Sequence, residues 1–136
     1  MSDTLKLMVP GKPEYVGTVR LAVSSLANKV GFDIEAIEDI KVAVSEACSN
    51  IVCHSDMDSD RPYRVVCEMC DDRIEIVVED EGIGFDTDRY EEPAPGQMQE
   101  RGLGVFIIRA LMDEVNVLSE VGSGTRIKMV KYIASG

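Results

Sequence analysis

A chain of 136 residues, 45% of them hydrophobic, is the size of one domain (1–136) and is long enough to bury a core without disulfide staples. With 25 acidic residues against 14 basic ones the formal charge is -11, which argues against direct nucleic-acid binding, because that affinity comes largely from Lys and Arg neutralising phosphates; a basic protein partner fits better. No stretch approaches the roughly 20 consecutive apolar residues of a membrane helix, and Met1-Ser2-Asp3-Thr4 lacks the basic and apolar regions of a signal peptide, so a cytoplasmic location is expected.

Thr4 to Val9 alternates polar and apolar residues as a half-buried strand does, and Pro10-Gly11 stops it. After Pro13, Val16, Val19, Val23, Leu26, Ala27 and Val30 recur at helical spacing, and Gly31 closes that helix. A second helix is expected from about Asp33 to His54, with Ile37, Ile40, Val44, Cys48 and Ile51 on its apolar face and Asp39, Glu46, Asn50 and Cys53 on the polar one. Asp56 to Asp60 then forms an acidic exit loop.

Tyr63–Met69 and Arg73–Glu79 are β-rich runs joined by Asp71-Asp72, a hairpin pattern. Asp86 to Arg101, with Pro93, Pro95 and Gly96, is expected to be a mobile surface loop, and a short helix, Val105 to Met112, to start at the glycine pair Gly102/Gly104. Val115–Val121 and Arg126–Ile133 complete a last hairpin about Gly122-Ser123-Gly124. The order β, α, α, β, β, α, β, β predicts an α+β fold: a two-layer α/β sandwich whose mixed, mostly antiparallel sheet carries its helices on one face.

The four cysteines, Cys48, Cys53, Cys67 and Cys70, read as buried, reduced thiols in a reducing compartment. A zinc site on Cys67-x-x-Cys70 with Cys53 and His54 is disfavoured, because residues three apart on a strand point to opposite faces.

Glu46 and Asn50 stand one turn apart on one helix face. The carboxylate can accept a proton and the amide oxygen can ligate Mg²⁺, although the same pair suits a solvated helix end. Asp80 ends a hydrophobic strand and is followed by Gly82 and Gly84, so it can accept a hydrogen bond from an exocyclic amine while glycine backbone approaches a flat ring; a plain turn uses the same residues. At Gly102-Leu103-Gly104, free amides at a helix start would form an anion site beside Arg101, or simply a loop before a helix. Thr125, after Gly122-Ser123-Gly124, is either a strand residue or a hydroxyl reaching a base. Neither the dinucleotide fingerprint nor a Walker loop is present.

Taken in order along the chain, these motifs resemble those of the histidine-kinase-like (GHKL) ATPases. Ser45-Glu46-Ala47-Cys48-Ser49-Asn50 matches the N box, and Asp80-Glu81-Gly82-Ile83-Gly84, Gly102-Leu103-Gly104 and Gly122-Ser123-Gly124-Thr125 match the three glycine boxes. The Ser-Glu-Ala-x-x-Asn pattern, the Leu111-Met112-Asp113-Glu114-Val115 segment, the short lid and the lack of phosphoacceptor helices are most similar to the bacterial anti-sigma-factor serine kinases, over about residues 4 to 133.

That resemblance implies a Mg²⁺-ATP pocket in which Glu46 activates a seryl hydroxyl and Asn50 ligates Mg²⁺. Asp80 would hold the adenine amino group with help from Thr125, Gly82 and Gly84 would line the base, and the amides of Gly102, Leu103 and Gly104 would wrap the triphosphate. Arg20, on the first helix, would face protein partners. Two departures stand out: Glu100 replaces a glycine often found before the second box, and Arg101 lies one residue later than the family's lid arginine. The implied function is a homodimeric switch that sequesters a sigma factor and phosphorylates a serine on an anti-anti-sigma antagonist. The rival readings are a non-catalytic, nucleotide-dependent adaptor and a histidine-kinase catalytic domain acting in trans.

Overall fold

The computed structural model describes residues 2–54, 61–80, 95–120 and 124–134, and their side chains except at 53–54, 95–102 and 119–120. Five strands and three α-helices follow in the order β1 (Asp3–Val9), α1 (Val16–Val30), α2 (Ile34–His54), β2 (Tyr63–Met69), β3 (Arg73–Glu79), α3 (Pro95–Leu111), β4 (Glu114–Glu120) and β5 (Gly124–Tyr132), with a 3₁₀ turn at Pro13–Tyr15. The strands lie in the order β1-β2-β3-β5-β4, and the expected mostly antiparallel sheet is antiparallel at all four described pairings.

Local chemistry sets the boundaries. Gly31 takes a left-handed φ of 109° and its N–H bonds the carbonyls of Ala27 and Asn28, which ends α1 at a conformation that only glycine adopts cheaply. Asp33 then caps α2, its Oδ1 accepting from Ala36 N at 2.8 Å. Asp71 and Asp72 make a tight turn closed by Cys70 N–H to the Arg73 carbonyl.

α3 corrects the sequence reading. Rather than starting at the glycine pair, the helix begins at Pro95, so Gly102 and Gly104 lie inside it and residues 95–101 are helical backbone, not loop. Proline is well placed as a first helical residue, and Gln97, Met98, Gln99, Glu100 and Arg101 are strong helix formers. Residues 86–94 of that expected loop, the exit loop 56–60 and the hairpin turn at 121–123 lie outside the described residues.

Burial alternates along β2 and β3, with Tyr63, Val65, Cys67, Ile74, Ile76 and Val78 turned to the helices. They meet Val19 and Val23 of α1, Ile40, Val44 and Ile51 of α2 and Ile108 of α3, all at most 1% exposed. Each such burial is worth about 1.5–3 kcal/mol, against about 0–1 kcal/mol for an exposed ion pair, so the helix-facing layer holds the fold. The opposite sheet face carries cross-strand ion pairs such as Arg64–Glu79 at 3.0 Å and Lys128–Glu75 at 3.2 Å.

Candidate nucleotide site

The site gathers at one end of the sheet, where β1 stops at Val9, β2 starts at Tyr63, β3 stops at Glu79 and β5 starts at Gly124. Asp80 follows β3 and is fixed by two reciprocal bonds. Its N–H donates to the Thr125 carbonyl at 3.0 Å, and its Oδ1 accepts from Thr125 N–H at 3.1 Å. Thr125 is 2% exposed, so both bonds are sheltered from water.

Gly124 completes this corner. Its φ is +87°, and a Cβ there would stand 2.1 Å from the Asp80 carbonyl oxygen and 2.7 Å from Asp80 Oδ1. Only glycine lets β5 press so closely against Asp80. The residues alone mark Gly124 as a turn glycine, and the resemblance adds its place in the third glycine box; its packing partner lies 44 residues away in the chain.

α2 lies across β3 and β5 and carries the other half of the site. The Tyr63 hydroxyl lies against the Cys48 thiol, which puts the stretch between Glu46 and Asn50 over the end of the sheet where Asp80 emerges. Burial pushes the Cys48 thiol up to about 11 and the Cys67 thiol up to about 12, so both stay protonated and unreactive near neutral pH. Both are buried free thiols as expected, whereas Cys70 is only half-buried because it stands at the hairpin turn; the side chain of Cys53 lies outside the described residues.

Glu46 and Asn50 are both half-buried. A Cβ on Gly104 would come within 3.2 Å of Glu46 Oε2, so the backbone of α3 approaches the carboxylate at this position. The structure thus brings Glu46 to Gly104 and Asp80 to Thr125 at one sheet end. Asp39, on the same arc of α2, instead lines a cleft at the helix's other end with Glu35, Asp113 and Lys131. Arg20 is exposed on α1, Leu103 is exposed beside Gly104, and Gly102 is helical; Gly82, Gly84 and the Arg101 side chain lie outside the described residues.

The histidine kinase-like ATPase domain family matches residues 9–131. The serine-protein kinase RsbW of Halalkalibacterium halodurans is 40% identical over 96% of this chain and 84% of its own length. The RsbW proteins of Oceanobacillus iheyensis and Bacillus subtilis are 42% and 38% identical, each over 97% of this chain and 88% and 87% of their own lengths. The chain belongs to the RsbW family of histidine kinase-like ATPases.

Solved structures share its fold. The RsbU and RsbW domains of a Mycobacterium tuberculosis protein superpose with a TM-score of 0.70 at 20% identity, covering 96% of this chain and 32% of that one. The histidine kinase domain of a blue-light activated kinase from Erythrobacter litoralis gives 0.58 at 21% identity, covering 91% and 61%. As a histidine kinase-like ATPase of the RsbW type, the chain binds ATP. The donor set fits that ligand: a fixed carboxylate at Asp80, a buried Thr125 beside it, and a carboxylate and an amide oxygen on one face of α2.

Proposed function

We propose that this protein is an ATP-dependent serine kinase and anti-sigma factor. It keeps a sigma factor from RNA polymerase and phosphorylates a serine on a small anti-anti-sigma antagonist, working in the cytoplasm as a homodimer of one-domain chains. The observation that carries this reading is identity of about 40%, over nearly the whole chain, to proteins that are serine-protein kinases. The meeting of Glu46 with Gly104 adds to it, because pure nucleotide binding has little need of a carboxylate at that place.

Asp80 accepts the adenine amino group, and Thr125 holds both Asp80 and the base. Gly82 and Gly84 line the base, while Gly102, Leu103, Gly104 and Arg101 attend the phosphates. Asn50 is the Mg²⁺ ligand, and the cation would offset phosphate charge there. Glu46 takes the proton from the attacking seryl hydroxyl as its oxygen bonds to the γ-phosphorus and the bond to the β–γ bridging oxygen breaks, leaving ADP. Arg20 meets a protein partner from the exposed side of α1.

Incubation with γ-labelled ATP and candidate antagonist proteins from the same genome tests this. Acid-stable label on a serine of one of them is expected. Acid-labile label on histidine, or no transfer to any of them, would overturn the serine-kinase reading.

A further inference from the structure

α3 is apolar on more sides than its packing uses. From Leu103 to Leu111 it reads Leu-Gly-Val-Phe-Ile-Ile-Arg-Ala-Leu, with Arg109 as the one polar side chain. A helix on the surface of a domain ordinarily turns one apolar stripe to the core and a polar face to water. Ile108 fills the core side and is fully buried. At about 100° per residue, Phe106 and Ala110 point about 160° away from Ile108, and Leu103 about 140°. Phe106 is accordingly 68% exposed and Leu103 56%, and Ala110 is exposed as well. Folding accounts for the Ile108 side. It gives no reason for an apolar stripe on the side that meets water.

The place of the stripe in the fold says what it faces. α2 and α3 run antiparallel: Glu46 meets Gly104 at one end, and Asp39 shares the far cleft with Asp113, just beyond the end of α3. Leu103 and Phe106 therefore lie no more than about 3 Å along the axis from the Glu46 contact, on a helix about 10–12 Å across. Val42, 44% exposed and one turn before Glu46, adds apolar surface on the α2 side.

A protein that brings a seryl hydroxyl to Glu46 must lie over this ground. A specific protein–protein contact covers about 800 Å² on each partner, a disc of about 16 Å radius. Centred on Glu46, such a disc takes in Leu103 and Phe106. Neither a sigma factor nor a second copy has to bring a reacting group to that carboxylate.

We propose that the outer stripe of α3, formed by Leu103, Phe106 and Ala110, is the docking surface for the protein that receives the phosphate, and that this protein presents an apolar patch beside its target serine. Phe106 is the anchor, a large and rigid side chain that gains most from a partner that excludes water. Docking here rests on the serine-kinase reading above for its reaction, and on the exposure and place of α3 for its surface.

Phe106→Gln removes the anchor at an exposed position and puts a good helix former there, so the fold should survive, with thermal melts as the control. Ile34→Gln is the comparison: Ile34 is 80% exposed but begins α2, about 18 Å along the helix from Glu46. Transfer from γ-labelled ATP by the full chain is followed while the concentration of the antagonist that takes label in the assay above is varied. In Phe106→Gln the KM for that antagonist should rise about tenfold or more, while kcat and the KM for ATP stay within about threefold of wild type. Phe106→Leu, which stays apolar, should recover most of the loss, and Ile34→Gln should leave all three constants within about threefold.

An unchanged antagonist KM in Phe106→Gln, or an equal rise in Ile34→Gln, would overturn the docking surface and leave the kinase reading standing. The same holds if Phe106→Gln instead weakens the hold on the sigma factor, or self-association in sedimentation. A wild type that transfers label to no protein would overturn the kinase reading and the docking surface with it.

Discussion

Two contacts build the proposed nucleotide site, and they are made of different material. At the Asp80 corner the strand ladder itself does the positioning: two backbone-anchored bonds to Thr125 and a left-handed Gly124 leave Asp80 one place to stand. At the Glu46–Gly104 contact, two helices merely touch, with a half-buried carboxylate against a helical glycine whose neighbour Leu103 is 56% exposed. The part of the site assigned to the base is thus fixed by the main chain. The part assigned to the reacting phosphate depends on helix packing, which can adjust.

Gly124→Val breaks the corner and should have the largest effect. A side chain there meets the Asp80 carbonyl at 2.1 Å and must also adopt φ +87°. Stability should fall by about 2–4 kcal/mol in denaturant titrations, with ATP affinity down at least about 100-fold. Near-wild-type affinity would mean that the corner is not rigid.

The joint between the two regions can be probed by pH. Cys48 sits two residues from Glu46, against Tyr63, and burial raises its thiol from 9.0 to about 11. Above pH 9 the unfolded chain releases this proton while the folded one keeps it. Stability is therefore fully present below pH 9 and is lost as pH rises toward 11, by about 2–3 kcal/mol from this thiol. Denaturant melts of wild type and Cys48→Ala across that window should differ in pH slope. Equal slopes would mean that the thiol is not held in this buried seat.

Gly104→Ala should move stability and activity in opposite directions, with the smallest effect of the three. Alanine suits a helix interior better than glycine by about 0.5–1 kcal/mol, so the melting temperature should rise by a few degrees. The added methyl stands 3.2 Å from Glu46 Oε2 and must displace that carboxylate slightly, so phosphate transfer should fall roughly tenfold. ATP affinity should stay within about threefold.

How far these contacts could be read from the sequence follows the range of the forces involved. Tyr63–Met69 and Arg73–Glu79 matched residue for residue because period-two alternation and an Asp-Asp turn are local signals, and Gly31 marked the end of α1 for the same reason. The start of α3 differs from the expected one because Pro95 reads equally as a loop residue or as a first helical residue, and the helix formers after it decide the matter. Glu46 and Asn50 could be placed on one face by spacing alone. Their meeting with Gly104, and the pressure of Gly124 on Asp80, depend on packing between distant segments and leave no local trace.

The most direct test measures ATP binding and phosphate transfer side by side in Glu46→Ala and Asp80→Asn. In Asp80→Asn the amide oxygen can still accept from Thr125 N–H, but the other position becomes a donor facing the adenine amine. That variant should fold normally and lose ATP affinity by about 10- to 100-fold. Glu46→Ala should bind ATP within about threefold of wild type yet transfer no measurable phosphate to the antagonist serine. Normal transfer by Glu46→Ala, or unchanged ATP affinity in Asp80→Asn, would contradict the division of the site into a fixed base-holding corner and a separate reacting end.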